Sequence, residues 1–163
     1  MGMLGAYMLA DEATIERLSD DDDLFEAVED YGDEETTIAY DIDKLWDGLH
    51  FLLTDVSAQE PIEGNPLSEA VVGVDVFDCE DFISYIAPDR IAGIVDALNK
   101  VDIDALTGNM DLSKFKKAKI YPNIWVKKDE ELLKTELKEE FIHLKAFYEQ
   151  ALSAKTGVLV SIY

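Results

Sequence analysis

The run GMLGAYMLA, residues 2–10, indicates the fold class of this chain. It is short, almost continuously apolar and followed by the polar Asp11, which is the pattern of a buried β-strand. A second apolar run, VLVSIY at residues 158–163, closes the chain directly after a long helical pattern. Strands at both termini with helices between them predict an α+β fold, built as a single compact domain with a mixed sheet that includes both terminal strands.

Between the terminal runs, apolar residues recur every three or four positions, which predicts several helices. Asp11 can cap a first helix over residues 12–18, and Ser19 can cap a second whose first turn is the aspartate run at residues 20–23. Carboxylates at that position would meet the positive end of the helix dipole. Further along, the pattern predicts a turn at Asn65-Pro66 with Ser68 as a possible cap, followed by a β-rich run over residues 71–77. A helix should begin at Pro88, and residues 119–125 should be extended. A long helix is predicted over residues 129–155, with a left-handed cap at Gly157.

Length and composition fit one domain over residues 1–163. About half of the 163 residues are hydrophobic, and no repeat or Pro/Gly-rich linker divides them. The single cysteine, Cys79, excludes an internal disulfide framework and favours a reducing compartment, so we expect a cytoplasmic protein. The N-terminal apolar run is too short for a membrane span and lacks the basic start of a secretory signal.

The formal net charge of −22 is concentrated in the first half of the chain. Residues 1–80 hold 23 acidic and 2 basic residues, whereas residues 81–163 hold 13 acidic and 12 basic residues. Such a field repels nucleic acid and anionic membranes and attracts basic partners, so we expect neither of the first two as a ligand. A surface that only keeps the protein in solution would show the same charge.

The stretch DIDKLWDGLHFLLTD, residues 41–55, holds the candidate site residues. With Asp43 as N-cap, it forms an amphipathic helix with Trp46 at the margin of its apolar face. Asp47 and His50 then lie together on the opposite edge, within hydrogen-bonding reach. A carboxylate beside an imidazole raises its basicity, as general-base catalysis requires. The interpretation we favour is a structural histidine, held by Asp47 or by a backbone carbonyl and packed beside Trp46. The buried face of this helix is formed by Ile42, Leu45, Leu49, Leu52 and Leu53.

No pattern in the chain completes a catalytic or metal site. Neither acidic stretch fits the calcium loop of an EF-hand: counted from Asp41, positions five and twelve are Leu45 and Leu52, where oxygen ligands are needed. Two histidines and one cysteine are too few for an ordinary zinc site. The nucleophile elbow, the zinc-protease motif and the nucleotide-binding glycine motifs do not occur. We therefore expect no metal and no cofactor.

Five segments in this order carry a resemblance to a known family: MGMLGAY, DIDKLWDGLHFLLT, NPLSEAVVG, IYPNIW, and the long helix that runs into VLVSIY. Together they resemble the YfbM-like family, small bacterial proteins of unknown function. The similarity spans nearly the whole chain, and DIDKLWDGLHFLLT is its most specific part. It fades over residues 20–37 and is loose over residues 75–85. The resemblance implies a single α+β domain in a bacterial cytoplasm and offers no reaction, cofactor or catalytic residue.

Two functions follow from these residues. The first is a non-enzymatic binding or interaction protein, similar to an inhibitor or immunity protein, whose acidic N-terminal half engages a basic protein partner. The second is a small-molecule-binding or catalytic site around Trp46, Asp47 and His50, with Tyr121 and Trp125 as aromatic walls and Asp43 nearby. The two differ in geometry, because the second requires these side chains to line one open pocket.

Overall fold

A computed structural model of the chain describes residues 2–163, and its five strands form one sheet in the order β2-β1-β5-β4-β3. The two terminal strands are neighbours, with Gly5 opposite Ile162 and Ala10 opposite Gly157, so their predicted pairing is confirmed. Every neighbouring pair is antiparallel, whereas a mixed sheet was expected. The strands are β1 (Gly5–Ala10), β2 (Ala39–Asp43), β3 (Asp75–Val76), β4 (Phe82–Ile86) and β5 (Gly157–Ile162).

Helices cover both faces of this sheet, which confirms the α+β class. On one face lie α1 (Glu12–Ser19) and α2 (Leu24–Asp33), and the remaining helices pack on the other. These are α3 (Trp46–Thr54), α4 (Pro66–Val72), α5 (Pro88–Asn99), α6 (Ile103–Gly108), α7 (Leu112–Lys117) and α8 (Glu130–Ala154), with a 3-10 turn at Lys127–Asp129 before the last.

The terminal strands separate two hydrophobic cores because alternate side chains point to opposite faces. Met8 and Leu159 belong to the smaller core, which α1 and α2 close with Leu18 and Val28. The larger core lies on the other face, where α8 contributes a buried stripe at helical spacing. Full burial of each large apolar side chain stabilises the fold by roughly 1.5–3 kcal/mol. The stripe consists of Leu133, Leu137, Phe141, Leu144, Tyr148 and Ala151.

The first helix begins as predicted, but the second begins later. Asp11 caps α1 by accepting a hydrogen bond from the Thr14 amide at 2.8 Å. Ser19 is not the cap of α2, because it is the last residue of α1 and its hydroxyl donates to the Ile15 carbonyl at 2.7 Å. Asp23 caps α2 instead, through the Glu26 amide at 3.1 Å. The first three aspartates of the run therefore precede the helix.

Asp43 is also not a helix cap. It is the last residue of β2 and has a left-handed backbone with φ of 57°. Residues 39–43 pair with β1, so the chain is still extended at Ile42 and α3 begins only at Trp46. The helix has no side-chain cap; Leu45 precedes it. A strand pairing thus determined a boundary that helical spacing had placed earlier.

Two further boundaries differ from the sequence-based prediction. Residues 66–72 are helical, because Pro66 occupies the first turn and Asn65 accepts a hydrogen bond from the Leu67 amide at 3.0 Å, so only Asp75–Val76 of the β-rich run is a strand. The left-handed cap of α8 is Lys155, with φ of 55°. Gly157 instead begins β5, where a Cβ would collide with the Ile86 carbonyl.

Candidate functional site

Asp47 lies in the interior, although the sequence placed it on the edge of α3 away from the core. Its side chain is fully buried and accepts three hydrogen bonds. Oδ1 accepts from the Ala58 amide at 2.7 Å and from the Ser57 hydroxyl at 3.0 Å, and Oδ2 accepts from the Tyr121 amide at 2.9 Å. The carboxylate therefore joins α3 to two irregular segments that would otherwise leave buried amides unpaired.

His50 is fully buried as well, and its two ring nitrogens have different partners. Nδ1 lies 2.6 Å from the Val56 carbonyl oxygen and Nε2 lies 2.7 Å from the Ser68 hydroxyl. A carbonyl can only accept, so Nδ1 carries the proton and Nε2 accepts from Ser68. Burial lowers the pKa of His50, against the opposing effects of the Val56 carbonyl and Asp47, which favours this neutral form.

The predicted contact between Asp47 and His50 is absent among the hydrogen bonds of residues 2–163, because each side chain uses its own partners. Ser68 belongs to the hydrogen bonds around His50. Its Oγ donates to His50 Nε2 and accepts from the Ile62 amide at 2.9 Å. We call Asp47, His50 and Ser68 the α3 cluster. All three are at most 1% exposed.

Sequence reasoning assigned Ser68 to a cap and missed its place in the α3 cluster. A usable signal was its spacing from Val71 and Val72, three and four positions away, which puts Ser68 on the buried face of α4. The Val56 carbonyl and the Ala58 amide had no comparable signal, because main-chain groups of a loop are not distinguished by residue type. The partners of Asp47 and His50 depend on tertiary structure.

The aromatic candidates are packed together beside α3. The rings of Trp46 and Tyr121 stack at a centroid distance of 5.5 Å, and Trp46 Nε1 donates to the Met3 carbonyl at 3.0 Å. Trp125 is buried, donates from Nε1 to the Ile120 carbonyl at 2.8 Å, and lies so close to Gly48 that a Cβ there would collide with its ring. Asp43 is exposed at the end of β2. The structure therefore does not bring the candidate residues around one open pocket.

One cavity borders the α3 cluster at Ser68, and a second lies beside Trp46. One, of about 450 Å³, is lined by Ser68, Glu69 and Arg90 among others, and the Arg90 guanidinium lies 2.5 Å from the nearly buried Glu69 carboxylate. The other, of about 560 Å³, has Trp46 and Phe82 in its wall. Ser68 and His50 are arranged like a nucleophile and its general base. Ser68 is buried, however, and accepts a hydrogen bond from the Ile62 amide, which indicates a structural contact.

The acidic residues of the first two helices form a separate surface. Residues 11–35, which contain α1, α2 and their flanking turns, hold 13 acidic residues, and Arg17 is their one basic residue. All 13 side chains belong to exposed residues, because the apolar positions of both helices face the smaller core. None of the ion pairs found among residues 2–163 involves them. We call residues 11–35 the acidic layer.

Residues 2–163 can be compared with what a metal site and a membrane-spanning helix require. Within residues 2–163, no group of three or more His, Cys, Asp or Glu side chains converges so that it could hold a metal, the aspartates at residues 20–23 included. Nor does the described part of the chain contain a helix with the length and apolar character needed to cross a membrane.

Comparisons with known proteins agree with the fold. The model of the family described as "Domain of unknown function (DUF1877)" matches residues 1–161. Protein YfbM of Escherichia coli (strain K12) is 30% identical over 132 residues, which cover 76% of this chain and 75% of that protein. The crystal structure of YfbM from Escherichia coli, described as a protein of unknown function, matches with a TM-score of 0.83 at 25% identity, over 98% of this chain and 99% of that one. The chain therefore belongs to the DUF1877 family, and its resemblance to YfbM-like proteins is confirmed.

Proposed function

We propose that this protein is a non-enzymatic interaction protein whose acidic layer binds a basic protein partner, in the manner of an inhibitor or immunity protein. The observation that carries the proposal is the exposure of all 13 carboxylic side chains of residues 11–35, with no ion pair among the described residues to offset them. Like charges so close together repel one another, and a cationic surface would relieve that repulsion.

The field of these carboxylates is felt by neighbouring groups. Burial, then Asp41 of β2, and then Glu29 and Asp33 of the acidic layer raise the pKa of Tyr163, whose ring contacts Phe25 of α2. A field of this sign speeds the encounter with a basic partner and excludes acidic ones, and salt weakens it. Solubility alone requires charge but does not require it to be concentrated on one two-helix layer.

Retention of host proteins on the immobilised protein tests the proposal. The layer variant carries Glu12→Gln, Glu16→Gln, Glu26→Gln and Asp30→Asn, and the matched variant makes the same change in net charge with Asp89→Asn, Asp96→Asn, Glu139→Gln and Glu149→Gln. All eight positions are exposed. Binding is compared at 0.01 M and 1 M salt, where the Debye length is about 30 Å and about 3 Å.

We expect the wild type and the matched variant to retain a basic protein at low salt and to release it at high salt, while the layer variant retains much less. Equal retention by the two variants would contradict the proposal, because the position of the charges would then not matter. Absence of any salt-sensitive basic partner would leave only the solubility function of the charge.

The alternative is a small-molecule or catalytic site around Trp46, Asp47 and His50, and one contact favours it: the Ser68 hydroxyl lies 2.7 Å from His50 Nε2 beside the 450 Å³ cavity. A fluorophosphonate probe reacts with a serine that an adjacent base activates. The interaction protein proposed above should not be labelled. Labelling that the Ser68→Ala variant abolishes would favour catalysis instead.

A further inference from the structure

A groove runs beside the edge of the sheet formed by β3 and β4. It consists of the 560 Å³ and 450 Å³ cavities, which adjoin because Pro61, Val72 and Phe82 line both. Met3 and Tyr163 lie at one end, and Val76 lies at the other. We call this feature the groove. Its size exceeds what one side chain fills, so it suits a chain segment rather than a single residue.

Three exposed apolar side chains border this groove. Val76 is 61% exposed, Met3 41% and Tyr163 39%, and Phe82 between them is partly buried. Single exposed apolar residues are common on protein surfaces, but several that border one concave feature indicate a binding site. Contact with an apolar partner would remove this surface from water.

The charges around the groove have one predominant sign. Its lining includes five carboxylic side chains and one cation, Arg90, which already pairs with Glu69. Near the Met3 end, Glu80 and Asp81 lie beside the apolar wall without a basic residue in the lining. The five carboxylic residues are Glu63, Glu69, Asp75, Glu80 and Asp81. A ligand that fits this lining is apolar in part and positively charged in part.

The backbone beside the groove favours an extended ligand. β3 is the edge strand of the sheet, and among residues 2–163 no strand pairs with its outer side. It has only two residues, Asp75 and Val76, and both line the groove. The outer side of an edge strand can pair with a strand from a partner. A strand of two residues offers only a short hydrogen-bonded ladder, so the side-chain pockets beside it would supply most of the selectivity.

We propose that the groove binds an extended segment of the basic partner in which apolar residues alternate with lysine or arginine. This inference rests on the proposed function and names the part of the partner that is recognised. The apolar side chains enter the cavities beside Val76 and Phe82, and the cations lie against the rim carboxylates. Tyr163 stands between the groove and the acidic layer, since its ring contacts Phe25 at a centroid distance of 5.6 Å, so one partner can reach both.

A fluorescein-labelled peptide of alternating valine and arginine is the probe, and fluorescence anisotropy measures its affinity. A peptide of alternating glycine and arginine has the same charge without apolar side chains. The groove variant is Val76→Ser with Glu80→Gln and Asp81→Asn. The matched variant is Leu132→Ser with Asp96→Asn and Glu139→Gln, which also removes one exposed apolar residue, 58% exposed, and two exposed charges. Equal thermal midpoints establish that both variants are folded.

We expect the wild type and the matched variant to bind the valine peptide at least tenfold more tightly than the glycine peptide, and the groove variant to lose that preference. Equal affinity of the wild type for the two peptides would overturn the inference, and so would a preference that the groove variant keeps.

Retention of the host partner by the groove variant and by the layer variant distinguishes a wrong groove from a wrong proposed function. A basic partner that the groove variant retains and the layer variant releases would contradict the groove alone. Equal retention by the layer variant and its matched control would contradict the acidic layer itself.

Discussion

The α3 cluster and the acidic layer both contain aspartate, but in opposite surroundings. In the cluster, Asp47 is fully buried and accepts three hydrogen bonds from the main chain and from Ser57. In the acidic layer, the carboxylates are exposed, and most of those that make hydrogen bonds only cap their own helices, as Asp11 and Asp23 do. One region uses its polar groups to hold the fold together, whereas the other leaves its charge available to a partner.

This difference shows why residue type alone does not identify a site. An aspartate near a histidine has the composition of a catalytic pair, yet desolvation makes each group require its own hydrogen bonds. A dense run of aspartates has the composition of a calcium loop, yet the side chains of this turn between α1 and α2 do not converge on one point among the described residues.

The largest effect is expected for Asp47→Ala. The substitution leaves the buried Ala58 amide and the partly buried Tyr121 amide without an acceptor. Each unpaired group costs about 1–3 kcal/mol, so we expect a loss of about 2–5 kcal/mol in the free energy of unfolding. Urea denaturation measures this, with the exposed Asp89→Ala as control at a change within about 0.5 kcal/mol. Similar stability of the two variants would show that the Asp47 carboxylate is not needed by the fold.

His50→Ala should destabilise the protein less, by about 1–3 kcal/mol, because it removes the closest donor to the Val56 carbonyl and leaves the Ser68 hydroxyl proton without its acceptor. Thermal denaturation gives the comparison, and the exposed His143→Ala is the matched control. An unchanged or raised midpoint for His50→Ala would contradict a structural role and make His50 the first residue to test against substrates.

The free energy of unfolding should depend on pH through His50. Burial lowers the pKa of His50 in the folded protein, so the unfolded chain binds a proton at this residue at a higher pH than the native state does. The contribution to stability is therefore fully present above the unfolded pKa of about 6.5 and is lost as the pH falls below it toward the native pKa. Denaturation between pH 7.5 and pH 5 should show a weaker pH dependence in His50→Gln than in His143→Gln. The same pH dependence in both variants would contradict the prediction.

Neutralising the acidic layer should change stability least among the substitutions. The four exposed positions of the layer variant each contribute within about 0.5 kcal/mol, and reduced repulsion between like charges favours a small gain. Urea denaturation of the layer variant and its matched control tests this. A loss of several kcal/mol in the layer variant alone would assign these carboxylates to the fold rather than to a partner.

Calcium is expected to have no specific effect. The aspartates at residues 20–23 form a turn and a helix cap, and no converging ligand group exists among the described residues. Titration calorimetry should show no saturable site tighter than about 1 mM, well outside the range of calcium sensors. A stoichiometric micromolar isotherm would contradict this and would turn the aspartate run into a site.

The sequence predicted the elements whose residues carry a strong periodic pattern. Both terminal strands, α8 and the Asp11 cap of α1 are confirmed, because continuous apolar runs and three-four spacing reflect burial directly. Boundaries failed where a tertiary contact decided them: Asp43 ends a strand because residues 39–43 pair with β1.

The candidate residues were partly predictable for the same reason. Trp46, Asp47 and His50 were correctly placed near one another on a helix, but their burial was missed. The hydrogen-bond partners of Asp47 and His50 lie in two irregular segments and on α4. Hydrogen bonds to main-chain groups leave no pattern in the sequence. The cavities beside Val76 and Phe82 were not predicted either, since they depend on how loop residues such as Pro61 pack against the sheet.

Native-state hydrogen exchange of three amides tests most directly whether the polar side chains of α3 are committed to the fold. The Ala58 and Tyr121 amides donate to Asp47, and the Ile62 amide donates to Ser68. We predict that these protons exchange orders of magnitude more slowly than those of the exposed Glu63 and Gly64 in the same region, and that Asp47→Asn speeds exchange at Ala58 and Tyr121. Exchange of all five amides at similar, fast rates would contradict the account, because the Asp47 carboxylate and the Ser68–His50 pair would then be free for other chemistry.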